Sequence, residues 1–193
     1  TWLDNLRVNA TIGVILIHAS ATILFRFTSV SADYWWFANV YNGGYRYVVP
    51  IFVMLSGALL LPREEAIVPF LKKSFMRIIV PFLFYNFIFS LFNWQVRLRG
   101  KTFGMWDGLN WLGEQYFHGA SYHFWYIYMI VGIYLFIPII GRWIRSAPES
   151  HIQYFLGIWG LTILFNNPHF PYLKLPIALT DFTGYVGYLV LGY

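Results

Sequence analysis

The chain has 193 residues, of which 59% are hydrophobic, 22% aromatic and only 11% charged, with a net charge of +5. Soluble domains carry about 25% charged residues, so this composition and a mean hydropathy of +0.56 exclude an ordinary soluble globular domain. The basic residues lie in connectors, where membrane topology and lipid head groups explain them better than a nucleic-acid partner. The absence of Cys excludes thiolate metal sites and disulfides.

Apolar segments of about 15–20 residues, the length that crosses about 30 Å of hydrocarbon, recur along the chain. They cover residues 8–24, 47–61, 78–92, 124–140 and 152–165, and a sixth begins near residue 179 and continues to the end of the sequence. Helices are predicted because open strands would leave backbone groups unsatisfied in lipid. The expected fold class is therefore all-α, a polytopic transmembrane helix bundle in contact with membrane lipids.

Two of the connectors between the spans predict further features of the fold. The connector 97–122 is long and aromatic, and the spacing of Trp106, Leu109, Leu112 and Tyr116 predicts a short helix that lies in the membrane interface.

The other informative connector joins the second and third spans and holds a compact basic cluster. It contains Lys72, Lys73 and Arg77. Because short cytoplasmic loops are enriched in Lys and Arg, the cluster favours an N-terminus on the cytoplasmic side.

The first span contains three ionisable residues, Asp4, Arg7 and His18. Eleven residues separate Arg7 from His18, which is about 20° from three full helical turns and roughly 16 Å along the axis. Asp4, three residues before Arg7, shares that face. The spacing predicts a polar stripe with an Asp/Arg pair at the boundary and a histidine about half a bilayer deeper. Such residues are expected to face the bundle interior or a water-filled cavity.

Several roles are open for His18 at this depth. A neutral imidazole can be a general base toward a hydroxyl, or it can relay protons in a transporter. Haem ligation would need a second intramembrane histidine, for which His123 is the candidate. The remaining alternative is a structural role, in which His18 forms a hydrogen bond to a neighbouring helix, with Ser20 or Ser56 as the partner.

The segment "LDNLRVNATIGVILIHAS" resembles the opening of the acyltransferase-3 family of bacterial membrane O-acyltransferases, whose hallmark is Arg, ten residues, then His in the first span. Four later segments resemble the family in the same order along the chain. They are "YRYVVPIFVMLSGALLL", "FLKKSFMRIIVPF", "HFWYIYMIVGIYLFIPII" and "YLVLGY". The likeness is greatest to the members that O-acetylate surface polysaccharides, such as the enterobacterial common antigen type.

The resemblance implies a fold of about ten spans in the bacterial inner membrane. Residues 1–193 would then be a single transmembrane acyltransferase domain that is truncated at its C-terminus, with about six spans present.

The resemblance also implies the substrates. The acyl donor is expected to be cytoplasmic acetyl-CoA, and the acceptor a hydroxyl of a surface glycan or lipid-linked sugar, with no tightly bound cofactor and no metal. His18 would be the general base, or would carry the acetyl group covalently, and Asp4 and Arg7 would complete the catalytic set.

The donor phosphates would be held by Arg77, Lys73 and Lys72 at the inner boundary. Family members often carry Arg-x-x-Arg before the third span, but this chain has Ser74 in place of the first Arg, and Lys73 could stand in for it. The candidate acceptor-side residues are Arg46, Ser56, His123 and Trp125.

The first hypothesis is therefore a membrane O-acetyltransferase. The alternatives are a proton-coupled transporter that uses His18, and a non-catalytic scaffold for envelope biosynthesis. Transporters tend to show two related halves with interrupted helices, and no such internal symmetry is visible in this sequence.

Overall fold

The computed structural model describes residues 2–97, 104–165 and 184–193, which are helical with short connections and contain no strand. This confirms the predicted all-α class. The helices are α1 Trp2–Leu24, α2 Ala32–Gly44, α3 Val48–Leu60, α4 Ile67–Arg97, α5 Met105–His118, α6 Trp125–Ser146, α7 Glu149–Phe165 and α8 Val186–Leu191. A 3-10 turn, Tyr122–Phe124, precedes α6.

The helices fall into two compact units, 1–63 with 141–193, and 64–140. In the first unit, α1 packs on α2 and α3, and α8 packs on α3 and α7. Small residues allow the close approaches: a Cβ at Gly13 would lie 2.5 Å from Val48 Cγ1, and one at Gly57 would overlap the carbonyl oxygen of Leu189.

The second unit is built on α4, a helix of 31 residues. α5 packs beside it, with the rings of Trp94 and Trp111 5.5 Å apart in an edge-on arrangement. The part of α6 in this unit contacts α4 through the stacked rings of Phe70 and Tyr134.

The described residues contain four helical stretches that are long and apolar enough to cross a membrane. They are Trp2–Leu24, Ala32–Leu60, Ile67–Val96 and Trp125–Ser146. The fifth predicted span forms α7, which has 17 residues and is at the short end of the range that crosses a bilayer. The start of the sixth, residues 179–183, lies outside the described residues, and α8 is its described part.

The structure corrects two boundaries. The helical stretch that holds the second span begins at Ala32 rather than at Tyr47, because α2 comes before α3 with only a short turn between them. The basic cluster predicted in a connector instead lies within the first three turns of α4. Long basic side chains favour helix and can extend their charges outward from it, so the helix continues beyond the apolar window.

One other prediction is confirmed. The helix expected within the connector 97–122 is α5. Its exposed side carries apolar residues next to polar ones: Met105, Trp106 and Leu109 are exposed, and so are Asp107 and Asn110. That α5 lies in the membrane interface stays a prediction.

Candidate functional site

The three ionisable residues of the first span lie on one uninterrupted helix, α1. At the helix start, Arg7 donates to the Asp4 carboxylate with an N–O distance of 3.2 Å, and both side chains are about half exposed. An exposed pair of this kind adds little to stability. His18 is partly buried and lies on the same helix face, roughly 16 Å from Arg7 along the axis.

The polar stripe does not coincide with the packed face of α1. The buried residues of this helix are Ala10, Gly13, Ser20 and Ala21, which face the rest of their unit. By helical geometry the stripe is about a third of a turn from the centre of that face. The three side chains therefore flank the packed surface: Asp4 and Arg7 are exposed, and His18 is partly buried.

Arg46, predicted on the acceptor side, lies just after the end of α2 and is exposed. Its guanidinium donates from Nε and Nη2 to Oδ1 of Asn42, at 3.4 and 3.3 Å. Asn42 in turn bonds to α1 at the turn that carries His18. Sequence reasoning missed Asn42, because α2 was not predicted and no charge marks this residue in the sequence.

The structure gives Ser56, also predicted on the acceptor side, only a local contact. It is partly buried on α3, and its hydroxyl donates 3.0 Å to the carbonyl of Phe52, one turn back on the same helix. This bond is sufficient to explain a serine within an apolar helix.

The basic residues Lys72, Lys73 and Arg77 are exposed on α4. Lys73 and Arg77 are four residues apart, so they share a helix face about 6 Å apart along the axis. Lys72 points about 100° away from Lys73. Lys73 and Arg77 can therefore contact one anion together, which fits the idea that Lys73 takes the place of the missing arginine at Ser74.

His123 lies in the 3-10 turn before α6. Its Nδ1 is 2.9 Å from the Ser121 hydroxyl, and its ring contacts the ring of Phe89 edge-on at 5.2 Å. Trp125, two residues later, is exposed.

A set of amide side chains fixes the turn that carries His123. Asn86 is fully buried on α4; it donates to the carbonyl of Gln115 at 3.1 Å and accepts from the backbone N–H of Ala120 at 2.8 Å. Asn93, two turns further along α4, donates to the carbonyl of Ala120 at 2.7 Å. The sequence signal was the spacing of Asn86, Ser90 and Asn93, which places three polar residues on one face of an apolar helix.

The described residues contain no group of three His, Asp or Glu side chains that could hold a metal ion. An apolar groove of about 150 Å³ lies between α1, α3 and α8, and none of the predicted site residues lines it.

The acyltransferase-3 family model, an acyltransferase domain, matches residues 1–193. The chain belongs to the acyltransferase-3 family. No curated protein and no solved structure matches it. Together with the four apolar helices, the family makes this chain a multi-pass membrane acyltransferase.

In this acyltransferase the predicted site residues divide between the two units. Asp4, Arg7, His18, Arg46 and Ser56 belong to the first unit, and Lys72, Lys73, Arg77, His123 and Trp125 to the second. Within the first unit the structure links Asp4 with Arg7, and Arg46 with the His18 turn through Asn42.

Proposed function

We propose that this acyltransferase is an O-acetyltransferase of the bacterial inner membrane, which moves an acetyl group from acetyl-CoA to a hydroxyl of a surface glycan or lipid-linked sugar. The observation that carries the proposal is the arrangement of α1. One helix presents a charged pair at its end and a histidine about 16 Å deeper on the same face, flanking the packed surface. An ionisable residue inside a membrane span is by default a candidate for function.

The chemistry requires a base at the acceptor hydroxyl. In the proposed reaction His18 accepts the hydroxyl proton while that oxygen attacks the carbonyl carbon of the thioester. The tetrahedral intermediate then expels the CoA thiolate, which takes the proton from His18, and the acetyl group remains on the acceptor as an oxygen ester. A positioned base of this kind contributes about 10²- to 10⁴-fold to a rate.

The donor is a polyanion, and the cations proposed to bind its phosphates are Lys73 and Arg77, with Lys72 beside them. The first two share an exposed face of α4, so a single phosphate could contact both. Arg77 can hold phosphate oxygens in a bidentate fork, whereas each Lys acts as a point charge. We expect Arg77→Ala to raise the KM for acetyl-CoA, and the exposed Arg26 after α1 supplies the matched control, Arg26→Ala.

The experiment that tests the proposed function follows a labelled acetyl group. The protein in membrane vesicles is given radiolabelled acetyl-CoA and a lipid-linked glycan fraction. The proposal predicts label on the glycan in an ester that mild alkali removes. Proton-driven uptake of a solute by the same vesicles, with no acetylated product, would contradict it and favour a transporter.

A further inference from the structure

The side chain of Asn42 uses both ends of its amide within the first unit. It is 5% exposed on α2. Its Nδ2 donates to the carbonyl of Ile17 at 3.2 Å and lies 3.4 Å from the Ser20 hydroxyl oxygen, while its Oδ1 accepts two bonds from Arg46. The orientation of the amide follows from its partners, because a guanidinium only donates and a backbone carbonyl only accepts.

The α1 partners of Asn42 bracket the candidate base. Ile17 immediately precedes His18, and Ser20 follows it by two residues. The Ser20 hydroxyl donates to the carbonyl of Leu16 at 2.7 Å, so its oxygen is available to accept from Asn42. Asn42 therefore ties α2 to the particular turn of α1 from which His18 projects.

The other end of the amide restrains Arg46. A free arginine side chain samples many rotamers, and the two bonds to Asn42 Oδ1 restrict them before any ligand binds. The two bonds to Asn42 Oδ1 use two of the five guanidinium N–H donors. Because Arg46 is exposed, the other three can reach a ligand.

We propose that Asn42 is a positioning residue that couples the acceptor-side Arg46 to the His18 turn of α1, so that the acceptor is held at a fixed distance from the base. The proposal rests on the proposed acetyl transfer. Asn42 contacts neither substrate; it acts through Arg46 at one end of its amide and through α1 at the other. No charge or unusual chemistry marks it in the sequence.

The kinetic test is a double-mutant cycle in the membrane-embedded protein. Asn42→Ala should raise the KM for the acceptor about ten-fold, the factor expected for a lost hydrogen bond to a charged group, and leave the KM for acetyl-CoA unchanged. Arg46→Ala should raise the acceptor KM at least as much, and adding Asn42→Ala to it should raise that KM no further. Asn42→Asp keeps an oxygen for the guanidinium and should restore the acceptor KM, while its kcat should be lower than that of the wild type because the bond to Ile17 is lost.

A second test needs no acetyl transfer. An arginine-directed dicarbonyl reagent, followed by peptide mass analysis, should modify Arg46 several times faster in Asn42→Ala than in the wild type. The exposed Arg26 of the same molecule should react at an unchanged rate, which controls for unfolding.

The outcomes separate the two proposals. A wild-type protein that acetylates no acceptor overturns the proposed function, and the labelling rate still decides whether Asn42 restrains Arg46. Active wild type with additive effects of Asn42→Ala and Arg46→Ala on the acceptor KM overturns the Asn42 proposal alone. An unchanged labelling rate at Arg46 overturns it as well.

Discussion

The buried amide of Asn86 offers a perturbation whose size follows from the structure. Asn86→Ala removes the donor to the Gln115 carbonyl and the acceptor of the Ala120 N–H, at 3.1 and 2.8 Å. Each backbone group left unsatisfied in a buried place costs about 1–3 kcal/mol, although hydrogen bonds measured inside membranes average nearer 0.6 kcal/mol. We expect a net loss of about 2 kcal/mol of unfolding free energy.

The assay is thermal unfolding of the detergent-solubilised protein, followed by tryptophan fluorescence. A loss of about 2 kcal/mol should lower Tm by roughly 4–8 °C in a chain of this size. The matched control is Asn110→Ala on α5, because Asn110 is exposed and its removal should change stability by no more than about 0.5 kcal/mol. Equal Tm values for the two variants would refute the reasoning that Asn86 holds α5 and the following turn against α4.

Two further predictions concern packing in the first unit. Gly13→Ala should lower the free energy of unfolding by about 1–3 kcal/mol, because its Cβ would lie 2.5 Å from Val48 and overpack the contact. The control is Gly43→Ala, whose Cβ would have nothing within 4 Å. In the same thermal assay this control should unfold like the wild type. Arg145→Ala should lower the free energy of unfolding, measured in denaturant, by about 1–3 kcal/mol, because Arg145 donates to carbonyls at the end of α3. The control is Arg142→Ala, because Arg142 is exposed. A variant that is as stable as its own control would contradict the prediction made for that variant.

The sequence predicted the helices better than their ends. Apolar length alone located α1, α3, α4 and α6, because in lipid an apolar segment of that length has few alternatives to helix. Helix α2 escaped notice since its aromatic residues, its Asn residues and the final Gly43–Gly44 pair are also typical of a connector.

The charged part of the site was predictable, but the hydrogen-bond partners of the amides that organise it were not. The eleven-residue spacing of Arg7 and His18 needs only helical geometry, and the structure keeps both on one uninterrupted helix. Asn42 and Asn86, by contrast, bond to backbone atoms of Ile17 and Ala120. Every residue carries such atoms, so residue identity cannot reveal which of them a buried amide will meet.

The proposed role of His18 as the base for acetyl transfer can be tested by one rate comparison. The measurement is the single-turnover rate constant for transfer from labelled acetyl-CoA to the glycan acceptor in His18→Ala. The reference is His151→Ala, which removes an exposed histidine from the first turn of α7. We expect His18→Ala to transfer the acetyl group at least about 100-fold more slowly, the factor expected for loss of a general base. Equal rate constants in the two variants, at equal amounts of folded protein, would contradict it.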